Sequence, residues 1–99
     1  MSSFTIRVEL HDATWQQYVD MAKDLATKGI TDVVTADDGT SYKMAPAEYN
    51  YVGQSNINDV LNAVSASAAK TGKRHAVFVT EATRRMWNGL QVVQALRSA

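Results

Sequence analysis

The sequence predicts an α+β sandwich with the element order β-α-β-β-α-β. Three observations predict it: a strictly alternating segment at residues 4–10, two amphipathic stretches of roughly four turns each, and turn residues between the extended segments. The chain has 99 residues, the size of one domain, and is 45% hydrophobic and 20% charged, so a single core layer between a sheet and its helices is within reach.

Phe4, Ile6, Val8 and Leu10 alternate with Thr5, Arg7, Glu9 and His11. Period-two alternation is the mark of a strand with one buried and one polar face. Thr14 and Gln17 then have capping-box spacing, with Asp12 as a competing helix cap. Trp15, Tyr18, Val19, Ala22, Leu25 and Ala26 recur at helical spacing as a core stripe, and Gly29 ends the helix. Residues 30–35 read as a short strand. Asp38-Gly39 reads as a tight type I′ hairpin turn, and residues 40–44 as the returning strand. Pro46 closes that strand or sits on an edge, and residues 48–54, with Tyr49, Tyr51 and Gly53, read as a loop. A second helix begins near Ser55 or Asn56, buries Ile57, Val60, Leu61, Val64 and Ala68, and ends at Gly72. His75 to Thr80 is the last strand, centred on Val77-Phe78-Val79. Residues 83–99 form an extension in which Asn88-Gly89 marks a turn and Leu90 to Leu96 suits a strand or a short helix.

Right-handed crossovers turn this order into a split β-α-β arrangement. The expected fold is therefore ferredoxin-like: one antiparallel sheet, both helices on one face, in a single domain spanning 1–99 with its core at about 4–82. The other sheet face is expected to stand open and to carry Arg7, Glu9 and His11.

Composition excludes some chemistry. With no cysteine there are no disulfides, no thiolate nucleophile and no cysteine-based zinc site. No phosphate-cradling glycine loop or serine-hydrolase motif occurs. The start, Met-Ser-Ser-Phe-Thr-Ile-Arg, does not read as a signal peptide, and no apolar run has the length to span a bilayer. A cytoplasmic protein with no membrane partner is expected. Formal net charge is zero but unevenly spread. Residues 1–50 hold four Lys/Arg against eight Asp/Glu, and residues 51–99 hold six against two. Such a split suits a polyanion-binding face, or two signs interleaved by folding.

Three segments carry a resemblance. Phe-Thr-Ile-Arg-Val-Glu-Leu-His-Asp-Ala-Thr (4–14), Asp-Asp-Gly-Thr-Ser-Tyr (37–42) with Ala-Glu-Tyr-Asn-Tyr (47–51), and Ala-Ala-Lys-Thr-Gly-Lys-Arg-His-Ala-Val-Phe-Val-Thr-Glu-Ala (68–82) together resemble the GhoS family. These are endoribonuclease antitoxins of type V toxin–antitoxin systems. The resemblance covers roughly residues 4 to 90. It implies a ferredoxin-like fold related to the CRISPR-associated spacer-acquisition endonucleases, and cleavage of single-stranded toxin messenger RNA.

Ribonuclease chemistry without a metal needs a base, an acid and a cation near the developing phosphorane charge. His11 ends the first strand and His75 starts the last, so antiparallel pairing brings them together; alternatively each is a solvated strand-end residue. Glu9 and Asp12 offer a metal-assisted route, the relatives having an aspartate near the end of the first strand, but Asp12 reads equally as a helix cap. No metal ligand is assigned and no cofactor is expected. Arg7, Lys73, Arg74, Arg84 and Arg85 are candidate RNA contacts, with Tyr49, Tyr51 and Trp87 as stacking surfaces. The plainer readings are a solvated rim for the cations and packing for the aromatics. Two functions stay open: a GhoS-like endoribonuclease, or a non-catalytic interaction or phage-type accessory module. A homodimer is expected under either, through edge strands or the apolar tail.

Overall fold

The computed structural model describes residues 1–93. Its element order is β1 (Ser2–Leu10), α1 (Trp15–Ala26), β2 (Val33–Thr35), β3 (Ser41–Lys43), β4 (Glu48–Gly53), α2 (Ile57–Ala69) and β5 (His75–Ala82). The α+β class and the antiparallel pairing are as the sequence predicts. The strand count is not, since five strands divide between two small sheets.

β1 is the spine. It pairs antiparallel with β4 on one side, from Ser2 opposite Gly53 to Arg7 opposite Glu48. On the other side it pairs with β5, from Ser3 opposite Ala82 to Leu10 opposite His75. The strand order is β4-β1-β5. Phe4, Ile6, Val8 and Leu10 are buried, and both helices pack on this face through Met21, Leu25, Val60, Val64 and Ala68.

The strand beside β1 is Glu48–Gly53, which the sequence reading had as a loop. Its alternation explains the outcome: Tyr49 and Tyr51 face the helices, opposite Ile6 and Phe4, while Glu48 and Asn50 face away. Pro46 does not close the previous strand. It occupies the second position of a turn in which the Glu48 N–H donates to the Ala45 carbonyl (3.0 Å), and Ala47, the third residue, has φ of 67°. A type II turn needs positive φ there, which is costly for a residue with a Cβ.

The predicted hairpin exists but stands apart. β2 and β3 pair with each other and reach the main sheet through one bridge, Thr31 to Asn50. The turn is not type I′. Only Gly39 has positive φ, and the Gly39 N–H donates to the Ala36 carbonyl, which makes a type I turn followed by a left-handed glycine. From β5 the chain runs back to β3, where Lys43 N–H donates to Gln91 O, Val93 N–H donates to Ser41 O, and Val92 bridges Tyr42. The predicted element at Leu90 to Leu96 thus begins as an extended segment against β3; residues 94–99 lie outside the described residues. Val34 and Met44 are buried outside the main core. Together with Trp87 and Leu90 they line a pocket that also reaches Thr5 and Glu48. One end of the helix-free face is therefore sheltered, while Arg7 and Glu9 remain exposed.

The helices are capped as expected. Thr14 and Gln17 form both bonds of the capping box, and Asn56 caps α2 through the Asp59 N–H. Tyr18 reaches back to β1, its hydroxyl accepting from Leu10 N–H (2.9 Å). The stripes differ in detail: Met21 is buried, whereas Trp15 is 77% exposed and Ile57 and Leu61 remain partly open. Trp15 is the first residue of α1.

The helices are joined by a polar cluster. Lys28 Nζ donates to the Ala63 carbonyl (2.8 Å) and to Ser67 Oγ (2.7 Å), Ser67 Oγ donates to Asp24 Oδ2 (2.6 Å), and Lys70 Nζ donates to Asp24 Oδ1 (2.9 Å). The Ser67 hydroxyl and then Lys70 hold the Asp24 carboxyl down at about 2, against an ordinary 3.8. A carboxyl depressed in the folded state stabilises fully above its unfolded value, and that contribution is lost as pH falls through the folded one.

Two outcomes are expected. In urea titrations across the acid range, stability declines between pH 3.8 and about 2 as Asp24 protonates, and Asp24→Asn flattens that decline. Ala47→Gly relieves the left-handed backbone at the β4 turn and raises the unfolding free energy by about 1 kcal/mol, read from the urea midpoint.

Candidate active site at the strand ends

The antiparallel register puts the end of β1 beside the start of β5. Leu10 lies opposite His75, and the His11 N–H donates to the Arg74 carbonyl at 2.9 Å. A wide cleft opens here, lined by His11, Ala69, Gly72, Lys73, Arg74 and His75. Both histidines of the chain and two of its cations thus share one concavity, as the sequence geometry implied.

The turn between α2 and β5 builds the cleft wall. The Lys73 N–H donates to Thr71 Oγ1 (3.2 Å), which itself donates to the Ala68 carbonyl (2.7 Å). Gln17 Nε2 reaches the Thr71 carbonyl (3.4 Å) and ties the first turn of α1 to this loop. His75 Nδ1 lies 3.0 Å from the Lys73 carbonyl. A carbonyl only accepts, so Nδ1 carries the proton and Nε2 of the neutral ring is left as the acceptor. Lys73 and His75 are half-buried, whereas Arg74 is exposed.

The carboxylates sit close by along the chain but outside the cleft lining. Glu9 is exposed on the helix-free face, opposite Ala76. Asp12 is exposed with φ of 56° in the turn between β1 and α1, and Thr14, not Asp12, caps the helix. Among the described residues no three His, Asp or Glu side chains converge as a metal-holding group.

The other candidates separate. Arg7 is exposed, with Phe78 opposite it on β5 and Glu48 opposite it on β4. Arg84 and Arg85 follow the far end of β5, roughly 25 Å along the strand from the cleft. Arg84 is exposed, while Arg85 Nη1 donates to the Phe4 carbonyl (3.3 Å) and Thr5 Oγ1 (3.2 Å). Burial lowers the Arg85 pKa, and the ion stays charged. Arg85 thus clamps the C-terminal segment to β1. Trp87 meets Tyr42 edge-on, with ring centroids 5.6 Å apart.

Tyr49 and Tyr51 are not stacking surfaces. Tyr49 is 4% exposed in the core, and burial raises its pKa. Tyr51 packs against Phe4 (centroids 5.8 Å) and hydrogen-bonds Ser55 Oγ (3.1 Å). Both assignments fail because residues 48–53 form a strand whose odd positions face the helices. The exposed aromatics are Trp15 and Phe78, the second 70% exposed on the helix-free face. The sequence pattern predicts a core place for Trp15 and assigns Phe78 to the centre of the last strand without choosing its face. The alternation Ala76, Phe78, Thr80 against Val77, Val79 was the available signal for Phe78.

No helix among the described residues is long and apolar enough to cross a membrane. No protein-family model and no curated protein sequence matches the chain.

The two adjacent arginines should behave differently. Arg85→Ala is expected to lower the unfolding free energy by about 1–2 kcal/mol, because the Phe4 carbonyl and Thr5 hydroxyl lose a charged donor. Arg84→Ala should leave the thermal midpoint unchanged, and calorimetry of the two variants reads the difference.

Proposed function

We propose that this chain is a GhoS-like endoribonuclease on a ferredoxin-like variant fold, cleaving single-stranded RNA at the His11–His75 cleft. The observation that carries the reading is the convergence of both histidines with Lys73 and Arg74 in one open concavity. It supplies the parts that metal-free RNA cleavage needs. His75 Nε2, oriented by the bond from Nδ1–H to the Lys73 carbonyl, takes the proton of a ribose 2′-hydroxyl. The 2′-oxygen attacks phosphorus, and the bond to the 5′-oxygen breaks. Protonated His11 gives that leaving oxygen its proton, while Lys73 and Arg74 meet the charge on the phosphoryl oxygens. The products are a 2′,3′-cyclic phosphate and a 5′-hydroxyl.

Recognition follows the same surface. Trp15 stands exposed at the start of α1, whose first turn is tied to the cleft loop through Gln17 and Thr71. A free indole face there suits base stacking, worth about 1–3 kcal/mol per base. Arg7 extends the cationic surface along the bare part of the sheet.

A second reading rests on Phe78. An aromatic ring this exposed on a sheet face also suits a protein partner, with RNA bound weakly or not at all.

The test is incubation of purified protein with labelled single-stranded RNA, followed by analysis of product ends. Cleavage leaving cyclic phosphates is expected, with His11→Ala and His75→Ala each lowering kcat by about 10²- to 10⁴-fold. Lys73→Ala/Arg74→Ala should raise KM and flatten its salt dependence. Intact RNA in the presence of folded protein would overturn the reading, and a stoichiometric protein partner lost on Phe78→Ser would favour the second.

A further inference from the structure

We propose that the outer edge of β5 is the seat of a second copy of this chain, paired antiparallel about a two-fold axis at Phe78. β5 ends the sheet order β4-β1-β5, so one side of its backbone has no strand beside it among the described residues. The orientation of its backbone groups follows from one bond. Because the Arg74 carbonyl accepts from His11 N–H, the even-numbered residues of β5 turn their N–H and C=O groups to β1. His75, Val77, Val79 and Glu81 direct theirs outward from the sheet.

The edge is complementary to itself. A two-fold axis normal to a sheet keeps each residue on its own face, so paired positions must share parity. With Phe78 on the axis, Val77 falls opposite the partner subunit's Val79, and His75 opposite the partner subunit's Glu81. Arg74, which precedes His75, is then brought beside the acidic end of the copy. Glu81 has no ion-pair partner among the described residues. The two Phe78 rings, each 70% exposed in one chain, become a cross-strand aromatic pair at a non-hydrogen-bonded position, where side chains are closest. Sliding the copies by two residues either way separates the rings.

The helix layer permits the approach. Ser67 faces α1, since its hydroxyl bonds Lys28 and Asp24, and Ala63, four residues before it, shares that face. Leu61, two residues before Ala63, lies about 200° round the helix from it. It therefore turns away from α1 toward the β5 edge, and is more than a third exposed. Apolar surface thus flanks the edge on the helix side as Phe78 does on the other. A long unguarded edge with apolar flanks is one that sheet proteins ordinarily cover or pair. The pairing also brings the partner subunit's Glu81 to the rim of the histidine cleft, so that each cleft draws a carboxylate from the other copy.

The inference stands independently of the RNA reading, because its test uses no RNA. Light scattering of the full chain should give twice the chain mass. The protein has no cysteine, so a single Phe78→Cys reports the register. Under oxidation it should cross-link to itself, because cross-strand Cα atoms at such a position lie about 4.5 Å apart, within disulfide range. Ala76→Cys and Thr80→Cys should not. Val79→Pro removes an outward N–H while sparing the ladder to β1, and should yield a folded monomer by circular dichroism and light scattering. Glu81→Lys should weaken the dimer at least tenfold. A monomeric mass for the unaltered chain would overturn the proposal, as would a dimer cross-linked by Val77→Cys or Val79→Cys but not by Phe78→Cys.

Discussion

The structure depends on the double pairing of β1. One nine-residue strand supplies the central rung of the sheet and the floor of the helix-packed core, and its end delivers His11 to the cleft. Its period-two alternation leaves no freedom of face. A one-residue slip would turn Phe4, Ile6, Val8 and Leu10 to solvent and drive Arg7 and Glu9 under the helices. Because β1 is held on both sides, its last residue is fixed opposite His75, and the backbone bond from His11 to Arg74 extends the register one step beyond the strand.

Around this spine the fold sorts its polar groups by role. Asp24, Lys28, Ser67 and Lys70 are spent on joining the two helices, where the serine is wholly buried and each of its neighbours compensates it. Arg85 is spent on tying the C-terminal segment to β1. Among the described residues, what stays uncommitted is Lys73 and Arg74 at the cleft, Lys23 on α1, Arg7 on the bare sheet and Arg84 beyond β5. The uneven charge along the sequence is thus only partly a surface property: some of the cations on each side of the divide act as internal braces.

Geometry at the cleft narrows the roles its residues can take. The Lys73 carbonyl orients the His75 ring and determines which nitrogen holds the proton, a detail no spacing argument reaches. Asp12, read beforehand as a cap or a catalytic carboxylate, instead makes the left-handed corner that carries the chain from His11 into α1. The tyrosines read as stacking surfaces are core residues, and the exposed ring near the cleft loop is Trp15, read beforehand as core. The two errors share a cause. An aromatic at the end of a helix stripe or in a segment flanked by Pro and Gly has the same local pattern whether the neighbouring layer extends over it or stops short.

The sequence alone determined the elements whose signal is local. These are the alternation of β1, the Thr14–Gln17 box, the ends of both helices and the position of the Asp38-Gly39 turn. The tertiary structure decided which segment occupies the second side of β1. Residues 48–53 took it and left the 33–43 hairpin as a separate sheet, because a six-residue strand with two tyrosines facing the core buries more apolar surface than two strands of three residues. It also decided that Arg85 would clamp and Arg84 would not. Local pattern encodes period and face. The choice of partner is made by competition among distant segments for the same backbone groups and the same core, and that competition is visible only once the chain has closed on itself.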